Sequence, residues 1–183
     1  MAEGALIVPR LETKHLLLIP FSLEMKRMTL RDKSRLADLI EARVPEAWPG
    51  PDLLDALPFF IAQMEQHPAD FVWDGLIVHK ADRVLIGDIG FKGGPDTAGA
   101  IEIGYSIIPE YRKHGYATEM AHSLIGWAFQ RPEIDLVTAE CLDDNIGSIK
   151  VLEKLGMRRV AHEGNMLKWE IRREQYNLPQ GEP

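Results

Sequence analysis

Between residues 109 and 129 the chain reads PEYRKHGYATEMAHSLIGWAF. Arg112, Lys113, His114 and Gly115 stand directly before a strongly periodic helix pattern. A helix N-terminus presents unpaired backbone N–H groups and the positive end of its dipole, so this arrangement suits an anion, phosphate above all. Gly115 lets the backbone approach an oxygen closely, and Arg112 and Lys113 add charge without a metal. The stretch has neither a Gly-x-Gly-x-x-Gly pattern nor a Gly-Lys-Ser/Thr ending, which excludes the two commonest nucleotide-binding loops. Cations and glycine before a helix also occur on ordinary surfaces, so the pattern alone leaves both uses open.

The other reactive side chains narrow the chemistry. Cys141 is the single cysteine, which excludes an internal disulfide and a cysteine metal cage and suits the cytoplasm. It lies late in an apolar strand without a partnering base, the setting of a buried thiol rather than a nucleophile. His122 and His162 show no metal-ligand spacing, and no metal is expected. The net charge of −7 argues against nucleic acid, which needs a basic face. No apolar run approaches a membrane span and no signal pattern opens the chain, so neither export nor insertion is expected.

The elements that must position the loop follow from periodicity. With 183 residues the chain fits one domain, 1–183, with loose ends at 1–10 and 177–183. HLLLIP, from His15 to Pro20, is short enough for a strand, and helical pieces follow near 22–29 and 33–42. From Asp52, a natural N-cap, Leu53, Leu57, Phe60, Ile61 and Met64 mark a helix face that Pro58 kinks or splits into two short helices. Residues 70–79, 83–93 and 99–108 read as a three-strand antiparallel meander, with Gly87 and Gly90 weakening the middle strand. Ala117, Met120, Ala121, Leu124, Ile125 and Ala128 then share one helix face. The apolar strand IDLVTAEC comes next, implying a parallel crossover. A helix capped by Asp144 or Asn145 and closed by Gly156 precedes two final strands near 157–162 and 165–172.

IEIGYSIIPEYRKHGYATEMAHSLIGWAF resembles the acetyl-CoA motif of the GNAT N-acetyltransferase superfamily, whose loop reads Gln/Arg-x-x-Gly-x-Gly/Ala; Arg112, Gly115 and Ala117 occupy those positions. NIGSIKVLEKLGM resembles the second family motif at Asn145, Ser148 and Gly156, with Met157 replacing the usual aromatic residue. ETKHLLLIPF and IGDIGF extend the likeness over nearly the whole domain, which is most similar to the RimJ/RimL type. The resemblance implies an α/β fold of the α+β kind: a mixed, mostly antiparallel sheet of about seven strands, flanked by about four helices. A parallel pair splays apart at the acetyl-CoA cleft.

It further implies that Ile107 and Ile108 bind the pantetheine amides and that the N–H groups over Lys113, His114, Gly115, Tyr116, Ala117 and Thr118 take the pyrophosphate. Asn145 is similar to the family asparagine near the pantetheine, and is equally suited to capping a helix. Direct transfer of acetyl from acetyl-CoA to an amine needs a base, an oxyanion site and an acid. Strand alternation puts Glu102 on the face away from Ile101 and Ile103, making it the first choice of base or else a solvated strand glutamate. Glu163, in a Glu-Gly pair similar to one in RimL-like enzymes, is the second choice, and Asp88 the third. Many family members carry an acid tyrosine where Leu152 stands, so Ser148 takes that role here, unless it binds coenzyme or packs. Trp48, Phe59, Phe60 and Trp73 fall where the family builds its acceptor pocket, or belong to the core.

The expected acceptors are amine-bearing small molecules, polyamines among them, or a protein N-terminus, with a monomer or homodimer. The acidic balance favours a cationic amine. The alternative is a coenzyme A-binding module without transferase activity.

Overall fold

A computed structural model describes residues 7–67 and 72–176. Eight strands form one sheet: β1 (Leu11–Glu12), β2 (Leu16–Pro20), β3 (Asp74–His79), β4 (Val84–Phe91), β5 (Ala100–Ile107), β6 (Leu136–Leu142), β7 (Arg158–Glu163) and β8 (Met166–Arg172). Their order is β1-β2-β3-β4-β5-β6-β8-β7, with β5 and β6 parallel and every other neighbour antiparallel. The helices are α1 (Leu23–Arg31), α2 (Lys33–Ile40), α3 (Pro51–Gln66), α4 (Tyr116–Phe129) and α5 (Ile146–Lys154). The architecture is the expected mixed α/β one, with one strand more than the about seven and one helix more than the about four that the resemblance implied. The extra strand is the two-residue β1, too short to show a period of its own.

Local physics explains most boundaries. Ser22 caps α1, its hydroxyl accepting from the Met25 N–H at 3.2 Å, and Asp32 ends α1 while its carboxylate caps α2. α3 is a single 16-residue helix rather than two pieces, and it starts one residue before Asp52, with Gly50 as the cap and Pro51 in the first position. Pro58 is tolerated inside it because that residue faces solvent, where the freed carbonyl can reach water. Val8, expected in a loose lead-in, is fully buried, and its N–H reaches the Val72 carbonyl at 2.8 Å. The end expected to be loose, 177–183, lies outside the described residues.

Two layers flank the sheet. α4 buries Met120, Leu124, Ile125 and Phe129 against one face, each side chain adding about 2 kcal/mol of apolar burial. α1 approaches the other face, where its Lys26 reaches Asp74 of β3, and α2 and α3 pack against α1. Gly87 is obligatory rather than merely weakening, since a Cβ there would sit 2.0 Å from the Ser106 carbonyl across the β4–β5 ladder.

The parallel pair matters most. β5 pairs with β6 only at Ala100, Ile101 and Glu102, opposite Leu136, Val137 and Thr138. From Ile103 onward the two strands diverge, while β6 continues to pair with β8 as far as Leu142. A wedge opens between Ile103–Ile107 and the end of β6, and the cationic loop follows β5 at the wide end.

Candidate functional site

The loop begins where β5 ends. Lys113 and Gly115 both have positive φ, 65° and 84°. That pair of left-handed residues turns the chain into α4, with Gly115 as a cap that lends no side chain. The six backbone N–H groups from Lys113 to Thr118 donate to no acceptor among the described residues. A run of unpaired amides at a helix start is an anion cradle. A Cβ on Gly115 would meet nothing within 4 Å, so the concave side is open. Arg112, Lys113 and His114 are exposed around it.

Side chains brace the cradle from below. His114 stacks on Tyr116 at 5.6 Å between ring centroids, and the Tyr116 hydroxyl meets Nε2 of buried His79 at 3.0 Å. On the next turn of α4, Glu119 takes the Thr13 hydroxyl at 2.5 Å, the His15 N–H at 2.9 Å and the His15 ring at 2.8 Å, pinning the β1–β2 hairpin to the helix. Burial pushes the Glu119 carboxyl up, but those donors outweigh it and hold it below the usual range.

The wedge has one wall of backbone and one of side chains. The Lys92 N–H reaches the Glu102 carbonyl and the Ile108 N–H reaches the Ile86 carbonyl, both at 2.8 Å. Even-numbered residues of β5 and Ile108 therefore turn their polar backbone to β4, and Tyr105 and Ile107 turn theirs to the wedge. The expectation for Ile108 is corrected on that ground: its N–H is committed to β4. The Ile107 carbonyl accepts from Arg112 Nε at 2.8 Å, which ties the loop to the strand.

On the α5 side, Asn145 caps the helix, its side chain accepting the Ser148 N–H at 3.1 Å. The Ser148 hydroxyl donates to the Tyr105 hydroxyl at 3.3 Å. Burial first, with Cys141 close by, pushes the Tyr105 hydroxyl up to about 12 against the pull of Ser148, so it keeps its proton at any working pH. Tyr105 shares its face of β5 with Ile101 and Ile103, opposite Glu102. Cys141 is buried, and burial pushes its thiol up as well, the state of an inert sulfur. Leu152, at the tyrosine position of the second motif, is buried in the core.

The proposed carboxylates separate sharply. Glu102 stands at the vertex of the wedge, on its last paired rung, and its carboxylate is bound by the Lys92 ammonium. Glu163 is exposed at the β7–β8 turn, 3.9 Å from Lys168. Asp88 is different. Its register partner on β5 is Ser106, whose hydroxyl donates to Asp88 Oδ2 at 2.8 Å, and the indole N–H of fully buried Trp48 donates to the same oxygen at 2.8 Å. One strand away, buried Lys26 lies 2.7 Å from both oxygens of Asp74 and 3.8 Å above the Phe21 ring. Burial pushes the Asp88 carboxyl up to about 6; Ser106 and Trp48 pull it back, Asp74 adds to the rise, and Lys26 opposes it.

Sequence reasoning missed this cluster as a unit. Its one signal was on α1, where Lys26 and Thr29 are buried while Leu30 is 42% exposed, the reverse of their apolarity. Trp48 is core and a hydrogen-bond donor to the site at once. Phe59 is 62% exposed on α3.

Among the described residues no three His, Cys, Asp or Glu side chains converge as a metal site, and no helix is long and apolar enough to cross a membrane. Residues 22–158 match the model of the acetyltransferase (GNAT) domain family, and the chain belongs to that family. It is 40% identical over 110 residues to the uncharacterized N-acetyltransferase YjdG of Bacillus subtilis, covering 60% of this chain and 66% of that one. The chain thus spans just under two thirds of that relative's length. The fold is similar to ribosomal-protein-S5-alanine acetyltransferase from Vibrio fischeri, at 18% identity and a TM-score of 0.61, over 93% of this chain and 100% of that one. It is also similar to the ribosomal L7/L12 alpha-N-protein acetyltransferase RimL solved with coenzyme A, at 15% identity and a TM-score of 0.59, over 91% and 97%.

Proposed function

We propose that the protein is an N-acetyltransferase that moves acetyl directly from acetyl-CoA to a primary amine. The observation that carries this is the run of unpaired amides from Lys113 to Thr118 at the wide end of a wedge between two parallel strands. Family membership supports it, as do neighbours whose names record coenzyme A and a protein N-terminus. The residues fit the coenzyme: the cradle and exposed Lys113 hold phosphate, Arg112 fixes the loop to β5, and the wedge-facing backbone of Tyr105 and Ile107 pairs with an amide-bearing arm. Bound there, acetyl-CoA supplies an activated acyl carbon.

The chain supplies the rest. Backbone N–H groups along the wedge polarise the thioester carbonyl. The acid for the departing sulfur in this reading is Ser148, whose hydroxyl is bonded to Tyr105. No covalent enzyme intermediate is involved. The acceptor class comprises protein N-termini, polyamines and other small amines, and the RimJ/RimL type favours the first. A cytoplasmic setting and a monomer or homodimer go with this proposal.

Isothermal titration with acetyl-CoA, beside thiol release on a panel of free-N-terminal peptides, polyamines and amino sugars, tests it. Binding with turnover of a panel member is expected. Leu152 in place of the tyrosine and the Lys92 clamp on Glu102 favour the second reading, a coenzyme-binding module. Binding without turnover would select that one.

A further inference from the structure

We propose that Asp88, through the hydroxyl of Ser106, takes the proton that the acceptor amine must lose, and that the acceptor reaches it as a primary ammonium. The inference rests on the transferase reading above and assigns the base within it.

Asp88 is set apart by what it lacks. Asp74, Glu102, Glu119 and Glu170 are the other described carboxylates withdrawn from solvent, and each has a Lys, His or Arg partner: Lys26, Lys92, His15 and Arg158. Asp88 has only two neutral donors, both on Oδ2, and Oδ1 has no hydrogen-bond partner among the described residues. A carboxylate taken out of water normally has a cation beside it. The nearest, Lys26, is bound by both oxygens of Asp74. Asp88 is half-buried and Oδ1 still meets solvent, so a partner from outside the chain can reach it, and an ammonium supplies both the charge and the donors.

The position fits the reaction. Beyond Glu102, β5 borders the open wedge. Tyr105 faces α5 and Ser148 there, whereas Ser106 faces Asp88 and the Trp48 layer on the opposite side of the sheet. Ser106 with Asp88 and Tyr105 with Ser148 thus lie on opposite faces of the stretch of β5 that borders the wedge, beside where the two substrates would meet. The groups facing Asp88 are Trp48 from the segment before α3, Lys26 from α1, Asp74 from β3 and Ser106 from β5.

The bookkeeping of protons closes. In becoming an amide the ammonium gives up two protons. One passes by way of Ser106 to Asp88 and on to solvent, freeing the lone pair that forms the N–C bond. As the C–S bond breaks, its electron pair stays on sulfur, which takes up the other. A carboxyl held near 6 by burial is ionised at neutral pH yet basic enough to help, which is the compromise general-base catalysis needs.

The test pairs kinetics with a readout that needs no acceptor. In the wild type, the indole N–H resonance of Trp48, assigned with Trp48→Phe, should titrate near pH 6; in Asp88→Asn that step should vanish. With the best amine of the panel, Asp88→Asn should lower kcat about 100-fold or more and abolish its acid limb, Asp88→Glu should recover part of it, and Ser106→Ala should lower kcat about tenfold. Acetyl-CoA affinity should stay within twofold in all of them. A kcat for Asp88→Asn within threefold of wild type, a persisting acid limb, or a Trp48 resonance that does not titrate overturns the assignment. If Asp88→Asn does not fold, an unchanged kcat in Ser106→Ala overturns it instead. Absence of acetyl-CoA binding by the wild type would instead remove the transferase reading itself.

Discussion

The cradle, which follows β5, and the Asp88 cluster, on β4 beside it, are built in opposite ways. The cradle is six consecutive amides, exposed, with its specificity in backbone direction and two positive-φ residues. The Asp88 cluster draws Lys26, Trp48, Asp74, Asp88 and Ser106 from five separate stretches of chain, all largely withdrawn from water. An open surface that water also reaches suits a ligand as charged as pyrophosphate. A proton transfer is tuned in a dry one, because low dielectric is what moves a carboxyl from the ordinary range to about 6.

If that contrast is right, damage to the dry side should show first in stability. Lys26→Met leaves Asp74 withdrawn from solvent without its cation, and should cost about 3 kcal/mol, or about 6–12 °C in Tm by calorimetry, with acetyl-CoA affinity little changed. A loss below about 1 kcal/mol would mean that the pair is wetter than its geometry implies. The cradle should respond the other way. Gly115→Val forces a branched side chain into φ 84° and should weaken acetyl-CoA binding about tenfold or more by isothermal titration, with a smaller loss of Tm.

The Glu119 tie is a third case. Its carboxyl sits below the usual range in the folded protein, so its contribution is present above the unfolded carboxyl value of about 4.3 and fades as pH falls through the folded one. Glu119→Gln should cost about 1 kcal/mol at pH 7 and progressively less as the pH is lowered, read from urea midpoints across an acid pH series. The smallest effect belongs to the vertex of the wedge. Glu102→Gln breaks a partly exposed ion pair and should change stability by under about 1 kcal/mol and kcat by less than threefold. A hundredfold loss of kcat there would return the base to Glu102 and dissolve the contrast.

Much of the architecture was legible because its signals are local. The α4 face, the Asn145 cap, the meander and the crossover from β5 to β6 each follow from spacing within a dozen residues. Pro58 misled because its cost depends on which side of α3 meets solvent, and Val8 because a short edge segment becomes core only when β3 is beside it. The cradle was legible down to single residues, since its groups are consecutive amides before a helix. Ile108 was not, because the side to which a strand amide points depends on the register with β4.

The sequence by itself determined the class of fold, the cradle and the residue types available to it, because adjacent residues meet whatever the rest of the chain does. Only the tertiary structure decided which carboxylate is free. Glu102, Glu163 and Asp88 are equivalent as letters. Folding gives the first a lysine, leaves the second in water, and buries the third beside a tryptophan and a serine with no cation of its own. Proton affinity is set by those surroundings, and they come from segments that no local spacing connects.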